Sequence, residues 1–335
     1  MKTKLNKYKF FYKKIGKAKK LDTTYKQYAV KIGKMMWAIP IQSWMKTLVP
    51  AAKDHLSMFA KATNEDKISK FIIKEGIPLI LFPRCNVLQC EYLVLCVGAS
   101  WSDNDFVKKF TDCVKSNELE FFRWAKGMVE QFQSAVTSGN EFRMENIAVK
   151  WLEGCSTYFD QEKPCWSWFC RMLPFLDGLR QQALDRKVSL NWMFNDLILF
   201  PTKALGLIKD LKAKRRMYSI SKPVWEKYLS CLTAKKSIVL FVSGSTEKIK
   251  VDEAYIKSKI PLVSVIENVE KKIVHPSIAK PGLYDLKYFD IVIKGREQYR
   301  DKLFYCKGFQ QWGHPILSKK TYTKVAEHVA KCIFN

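Results

Sequence analysis

Continuous apolar runs rich in β-branched residues occur along the chain and predict buried strands. The strongest covers residues 238–242, with lysines before it and Ser243-Gly244-Ser245-Thr246 after it. A second run of the same character covers residues 262–266. Runs of this length without polar alternation are typical of strands buried on both faces of a parallel sheet.

Residues 248–259 separate these two runs and carry apolar side chains at helical spacing, with Ser245 or Thr246 as the N-cap. The pattern predicts a β-α-β unit in which two parallel strands pair and one helix crosses over. Such a unit buries both faces only if further strands and helices join it. We therefore predict an α/β fold with an open, mainly parallel sheet flanked by helices, of the flavodoxin-like or Rossmann-like type.

The same periodicities predict elements elsewhere in the chain. Further strands are expected at 71–73, 78–82, 92–97, 166–169, 188–192 and 289–294, and helices at 35–62, 104–115, 120–138, 144–158, 173–185 and 320–334. The strands before residue 100 fit either the same sheet or a separate extension. We divide the chain into a basic arm (1–34), an N-terminal extension of helix and short strands (35–117), an α/β core (118–300) and a C-terminal helical segment (301–335).

The net charge of the chain indicates a class of binding partner. The 335 residues include 58 lysines and arginines against 32 acidic residues, a formal net charge of +26. Such an excess on a folded domain favours a surface that neutralises phosphates, and the alternative is a basic protein without a polyanionic partner. We predict RNA-binding residues in the arm, in the segment 201–236 and after the second strand of the β-α-β unit: Lys13, Lys14, Lys17, Lys19, Lys20, Lys212, Lys214, Arg215, Arg216, Lys271 and Lys272.

The basic arm alternates lysines with aromatic residues, which suits RNA contact by charge and stacking. A solvated, disordered tail is the alternative. Transit peptides favour arginine over lysine, so we expect the arm to function in place. A third use of such charge is attachment to anionic lipid, although no uninterrupted apolar run is long enough to span a bilayer.

Candidate chemistry is sparse. The loop 243–246 follows a strand and precedes a predicted helix, where α/β folds often bind phosphate, but it matches neither glycine-rich nucleotide-binding pattern. The ten cysteines include no C-x-x-C pair, and the four histidines have no metal-ligand spacing. We predict no cofactor, no metal and buried thiols in a reducing compartment. The alternative hypothesis is a basic nucleotide- or RNA-modifying enzyme with its site at this loop.

Around the β-α-β unit the sequence resembles the family of the second protein of the small ribosomal subunit. The shared features are a strand ending Leu-Phe-Val, Glu-Ala on the crossover helix, Ile-Pro before the next strand, an acidic residue at its end and a Pro-Gly turn. Here they are Leu240-Phe241-Val242, Glu253-Ala254, Ile260-Pro261, Glu267 and Pro281-Gly282.

Upstream, Trp192 with Leu197 and Phe200, and the aromatic stretch 166–169, match the family at the expected offsets. Residues 193–195, Met-Phe-Asn, replace the family's paired glycines, and Leu197-Ile198-Leu199 replaces its Leu-Thr-Asn. The resemblance covers roughly residues 160 to 300.

The resemblance implies a protruding helical hairpin at about 201–236, with Pro223 between its arms. It also implies a structural, non-enzymatic protein of the small ribosomal subunit that binds ribosomal RNA and neighbouring ribosomal proteins. Divergence from the family pattern favours a mitochondrial ribosome and a location in the mitochondrial matrix.

Overall fold

The computed structural model describes residues 45–73, 78, 80, 90–102, 116–157, 168–202, 208–232, 236–244, 263–267, 286–307 and 319–334. After a short 3-10 turn at Lys46–Leu48, the helices are α1 (Val49–Thr63), α2 (Asp66–Ser69), α3 (Ser116–Thr137), α4 (Glu141–Thr157), α5 (Trp168–Asp185), α6 (Leu211–Cys231) and α7 (Lys319–Phe334). The strands are β1 (Tyr92–Ser102), β2 (Leu190–Thr202), β3 (Ser237–Gly244), β4 (Val263–Glu267), β5 (Leu286–Ile293) and β6 (Asp301–Lys307).

The described strands form one six-stranded sheet in the order β2-β1-β3-β6-β5-β4. Strands β2, β1, β3 and β6 pair in parallel, whereas β5 is antiparallel to both of its neighbours. Helices flank the sheet, so the predicted α/β class with a mainly parallel sheet is confirmed.

Strand β1 lies between β2 and β3, with Tyr92 opposite both Leu190 and Ser237. Its residues 93–97 are all buried, as expected of a central strand with both faces covered. The sequence left open whether these early strands belong to the main sheet, and β1 does. The predicted boundary at 117/118 therefore does not separate an extension from the core.

The predicted pairing of residues 238–242 with 262–266 is wrong, because β6 and β5 lie between β3 and β4. Strand β6 occupies the edge of β3 that was expected to receive β4. The carboxylate of Asp301, at the start of β6, accepts a hydrogen bond from the backbone N–H of Ile238 at 2.7 Å and fixes this arrangement. The C-terminal segment 301–335, predicted as helical, begins with strand β6, and the predicted terminal helix is present as α7.

The stretch 166–169 was predicted as a strand, but Trp168 and Phe169 begin helix α5. Within α5, Phe175, Leu176, Leu179 and Ala183 are buried at helical spacing. This apolar stripe sets the helical period of α5.

Helix α6 replaces the predicted two-armed hairpin. It runs without interruption from Leu211 to Cys231 with Pro223 inside it. Its buried face continues on both sides of the proline, because Met217 and Ser221 precede it and Val224 and Tyr228 follow it. The helix packs on α1 and β2 along this face and does not protrude.

Candidate nucleic-acid interface

Helices α1 and α6 lie antiparallel and are joined by an ion pair near each end. The guanidinium of Arg216 donates to Glu65 through Nε at 2.7 Å and Nη2 at 3.1 Å. At the other end, Lys227 Nζ donates to the Asp54 carboxylate at 2.6 Å. The Arg216 hydrogen bond lowers the pKa of Glu65, so this carboxylate stays charged. The two pairs fix which turns of α1, α2 and α6 face each other.

A buried histidine anchors the same helices to the sheet. Nε2 of His55 donates to the backbone oxygen of Leu199 in β2, and the Tyr228 hydroxyl of α6 donates to Nδ1 at 3.1 Å. A carbonyl oxygen can only accept, which assigns the proton to Nε2. Trp151 of α4 lies edge-on to the imidazole with 5.5 Å between ring centroids. Burial lowers the pKa of His55 to about 4, so the ring is neutral at physiological pH.

The first turns of α6 concentrate positive charge. Asp210 is the N-cap, and its carboxylate accepts from the backbone N–H of Ala213 at 2.9 Å. The first turn of α6 has no acidic side chain, and the first two turns contain basic residues. Cations near a helix N-terminus oppose the helix dipole, at about 0.3 to 1 kcal/mol each. An anion bound at this end would remove that penalty.

Lysines of α1 and α2 extend the charge of α6 across the Glu65–Arg216 contact, since α2 packs against α6. We call the combined surface the basic face. Its members are exposed except for half-buried Lys214, and they are Lys61, Lys67, Lys70, Lys209, Lys212, Lys214, Arg215 and Arg216.

Most of these cations form no ion pair with another described residue. Among the described residues, Arg216 alone of the eight forms an ion pair. Lys70 Nζ lies over the Phe71 ring, 5.0 Å from its centroid. Seven of the eight cations therefore form no ion pair within the part of the chain that the structure describes.

The structure brings together four of the predicted RNA-binding residues: Lys212, Lys214, Arg215 and Arg216. Arg216 forms the ion pair that joins α6 to the start of α2, and its side chain is also part of the basic face. Sequence reasoning missed Lys61, Lys67 and Lys70, because only the antiparallel packing of α1 on α6 brings them to α6. Predicted residues Lys13, Lys14, Lys17, Lys19, Lys20, Lys271 and Lys272 lie outside the described residues, as do the predicted helices 104–115 and 248–259.

The loop 243–246 begins at the carboxyl end of β3, which is flanked by the parallel strands β1 and β6. Gly244 is the last residue of β3, and Ser245 and Thr246 lie outside the described residues. The structure therefore places the start of this loop at the carboxyl edge of the sheet, where the enzyme hypothesis puts it.

Three of the described cysteines lie in the apolar core. Cys90, Cys96 and Cys155 are buried, and burial raises the pKa of each thiol, to about 12 for Cys90. Such thiols are poor nucleophiles and poor metal ligands. In the part of the chain that the structure describes, no group of His, Cys, Asp and Glu is arranged to hold a metal ion.

Within the same described ranges, no helix is both long enough and apolar enough to cross a bilayer. Comparison of the chain with protein-family models, with curated proteins and with solved structures gives no match.

Proposed function

We propose that this protein is a non-enzymatic RNA-binding scaffold, and that its basic face contacts RNA phosphates. The carrying observation is the group of cations around the Glu65–Arg216 pair, seven of which have no ion-pair partner among the described residues. These charges lie on helices that two ion pairs and a buried histidine hold in place. A rigid array of cations binds a phosphate backbone with little loss of conformational freedom.

The side chains of the basic face favour phosphate contact over base recognition. Single-stranded RNA is bound largely by stacking on aromatic rings, whereas folded RNA is recognised by shape and backbone contacts. No described aromatic side chain on this face is fully exposed, since Phe71 and Tyr218 are half-buried. Lysine and arginine side chains make up this surface. We therefore expect the affinity for RNA to depend on charge and only weakly on RNA sequence.

The particle that we propose for this scaffold is the small subunit of a mitochondrial ribosome, in the mitochondrial matrix. Support comes from the net charge of +26 and from the sequence resemblance around β3. The strand order gives no support, because β3 and β4 are not neighbours as the β-α-β interpretation required. The proposed partners are ribosomal RNA and neighbouring ribosomal proteins.

Two charge-reversal variants test RNA binding by the basic face. The variant K212E/R215E changes two exposed cations of α6, and the control K324E/K331E makes the same charge change on α7. Purified full-length protein is titrated with small-subunit ribosomal RNA over a range of salt concentrations. Each lost phosphate contact reduces the slope of log K against log salt by about 0.7 to 0.9.

We expect K212E/R215E to weaken binding at least tenfold and to flatten the salt dependence, while the control binds nearly as wild type does. Equal losses in both variants would show that binding follows net charge alone and would contradict a localised interface. The enzyme hypothesis gives the opposite pattern: S245A/T246A abolishes nucleotide binding, and K212E/R215E leaves it intact.

A further inference from the structure

A leucine is exposed among the cations of the basic face. Leu211, the first residue of α6, is 64% exposed and is one of four large apolar side chains that are exposed among the described residues. The buried face of the helix begins two residues later, at Ala213. Leu211 therefore lies outside the core, and shortening its side chain should change stability little.

Cations surround Leu211 on α6. Lys212 follows it directly, and Lys214 and Arg215 lie one turn further along the helix, at the three- and four-residue spacings that bring side chains together. Lys209 lies just before the N-cap residue. An anionic partner that approaches these cations therefore meets Leu211 as well.

The charges around Leu211 are strongly unbalanced. Residues 61–70 and 209–216 contain the eight cations of the basic face and only three carboxylates, those of Glu65, Asp66 and Asp210. Glu65 is paired with Arg216, and Asp210 accepts the N-cap hydrogen bond of α6. A partner with an excess of negative charge complements this surface.

One apolar side chain is too little for attachment to a lipid surface. A helix that lies in a bilayer interface buries a whole apolar face with several Trp, Phe or Leu side chains. On the described basic face only Leu211 offers a large exposed apolar side chain, since Phe71 and Tyr218 are half-buried. A nucleic acid presents sugar carbons beside its phosphates, and one leucine is enough to contact them.

The chemistry of the side chain distinguishes between nucleic acids. Leucine has no aromatic ring on which an unpaired base could stack, which is the usual contact with single strands. The minor groove of an A-form RNA duplex is wide and shallow and displays riboses at its surface. The minor groove of B-form DNA is only about 6 Å wide, which is too narrow for a helix about 10 Å across.

We propose that the basic face binds double-stranded RNA, with Leu211 packed on riboses of the minor groove and the cations of α6 in contact with the adjacent phosphates. The inference rests on the proposed function, because it assumes that the basic face binds RNA. It adds the class of RNA, a duplex, and assigns to Leu211 a preference for RNA over DNA.

Four forms of the full-length protein test this inference: wild type, L211A, K212E/R215E and the control L184A. Leu184 is 52% exposed on α5, outside the basic face. Each protein is titrated with an RNA duplex, and with a DNA duplex and a single-stranded RNA of the same length, over a range of salt concentrations. Loss of a partly buried leucine corresponds to about three- to tenfold in affinity. The variant L211A removes no charge, so the number of released counterions stays the same.

We expect L211A to bind the RNA duplex about three- to tenfold more weakly than wild type, with an unchanged salt slope. It should bind the DNA duplex and the single strand as wild type does, which also shows that it is folded, and L184A should match wild type throughout. Wild-type affinity of L211A for the RNA duplex, or equal losses for all three nucleic acids, overturns the inference. So does binding to phosphatidylserine vesicles that L211A abolishes.

The variant K212E/R215E separates this inference from the proposed function. If K212E/R215E binds RNA as tightly as wild type does, the basic face is not the RNA-binding surface and both fail. If K212E/R215E is weakened and L211A is not, the basic face binds RNA and the inference about Leu211 alone is wrong.

Discussion

The neutral, buried ring of His55 makes stability depend on pH. Its pKa is about 4 in the folded protein against 6.5 as its ordinary value, so the unfolded chain takes up a proton first as pH falls. The contribution of this group is complete above pH 6.5 and is lost as pH falls toward 4. Between pH 7 and pH 5 the loss is about 2 kcal/mol in the free energy of unfolding.

Urea unfolding at a series of pH values measures this loss. The variant H55Q removes the titrating group, so the difference between wild type and H55Q should shrink from pH 7 to pH 5 by that amount. Parallel pH profiles for the two proteins would contradict the buried, neutral state of His55.

A second buried residue controls the centre of the sheet. The Asp301 carboxylate accepts from Arg296 Nε and Nη2, each at 3.0 Å, as well as from Ile238. Removing one partner of a buried ion pair destabilises by about 3 to 5 kcal/mol. We expect D301N to lower the free energy of unfolding by this amount, as measured with urea.

Asp290 and Lys302 give a matched control, since they form a more exposed ion pair at 2.5 Å on the neighbouring strands. D290N should change the free energy of unfolding by about 1 kcal/mol or less. If D290N and D301N destabilised equally, Asp301 would have no special role in seating β6 beside β3.

At the scale of elements, the close approach of α3 and α4 depends on a glycine. A Cβ added at Gly154 would lie 1.8 Å from Cη2 of the Trp124 ring. G154A should therefore force the helices apart and lower the free energy of unfolding by about 1 to 3 kcal/mol. A Cβ added at Gly127 of α3 would have no neighbouring atom within 4 Å, so G127A should be neutral or stabilising by up to about 1 kcal/mol. Equal effects in thermal or urea unfolding would contradict this packing.

Elements with a continuous or periodic apolar pattern could be predicted from the sequence. Helices α3, α4 and α7 and strands β3 and β4 were predicted close to their observed bounds because helical or continuous apolar patterns define them, whereas β1 was predicted to end at residue 97 and extends to Ser102. Strand β6 was not predicted because its apolar centre, 303–305, is short and has lysines near both ends, so its sequence does not indicate a buried strand. Pro223 suggested a helix break, yet the buried face of α6 overrides the lost backbone hydrogen bond.

At the scale of the whole molecule, the sequence predicted the sheet class but not the strand order. Adjacent strands in sequence are often neighbours in space, which favoured β4 beside β3. The insertion of β6 and β5 depends on contacts such as Asp301 with Ile238, which no local pattern reveals. Half of the residues of the basic face were predicted, for the same reason. The cations of α6 are close together in the sequence, whereas the lysines of α1 and α2 come close to them only through tertiary packing.

The central claim, that this protein is a structural part of the small ribosomal subunit held there by its basic face, is tested most directly by sedimentation. Tagged wild-type protein and K212E/R215E are expressed in the source organism, and organelle extracts are separated on sucrose gradients with quantitative mass spectrometry of each fraction. The account predicts that wild type co-migrates with the small subunit at near-equal stoichiometry, and that K212E/R215E is displaced toward the free-protein fractions. Wild-type protein found only in the free fractions, or the variant retained as fully as wild type, would contradict it.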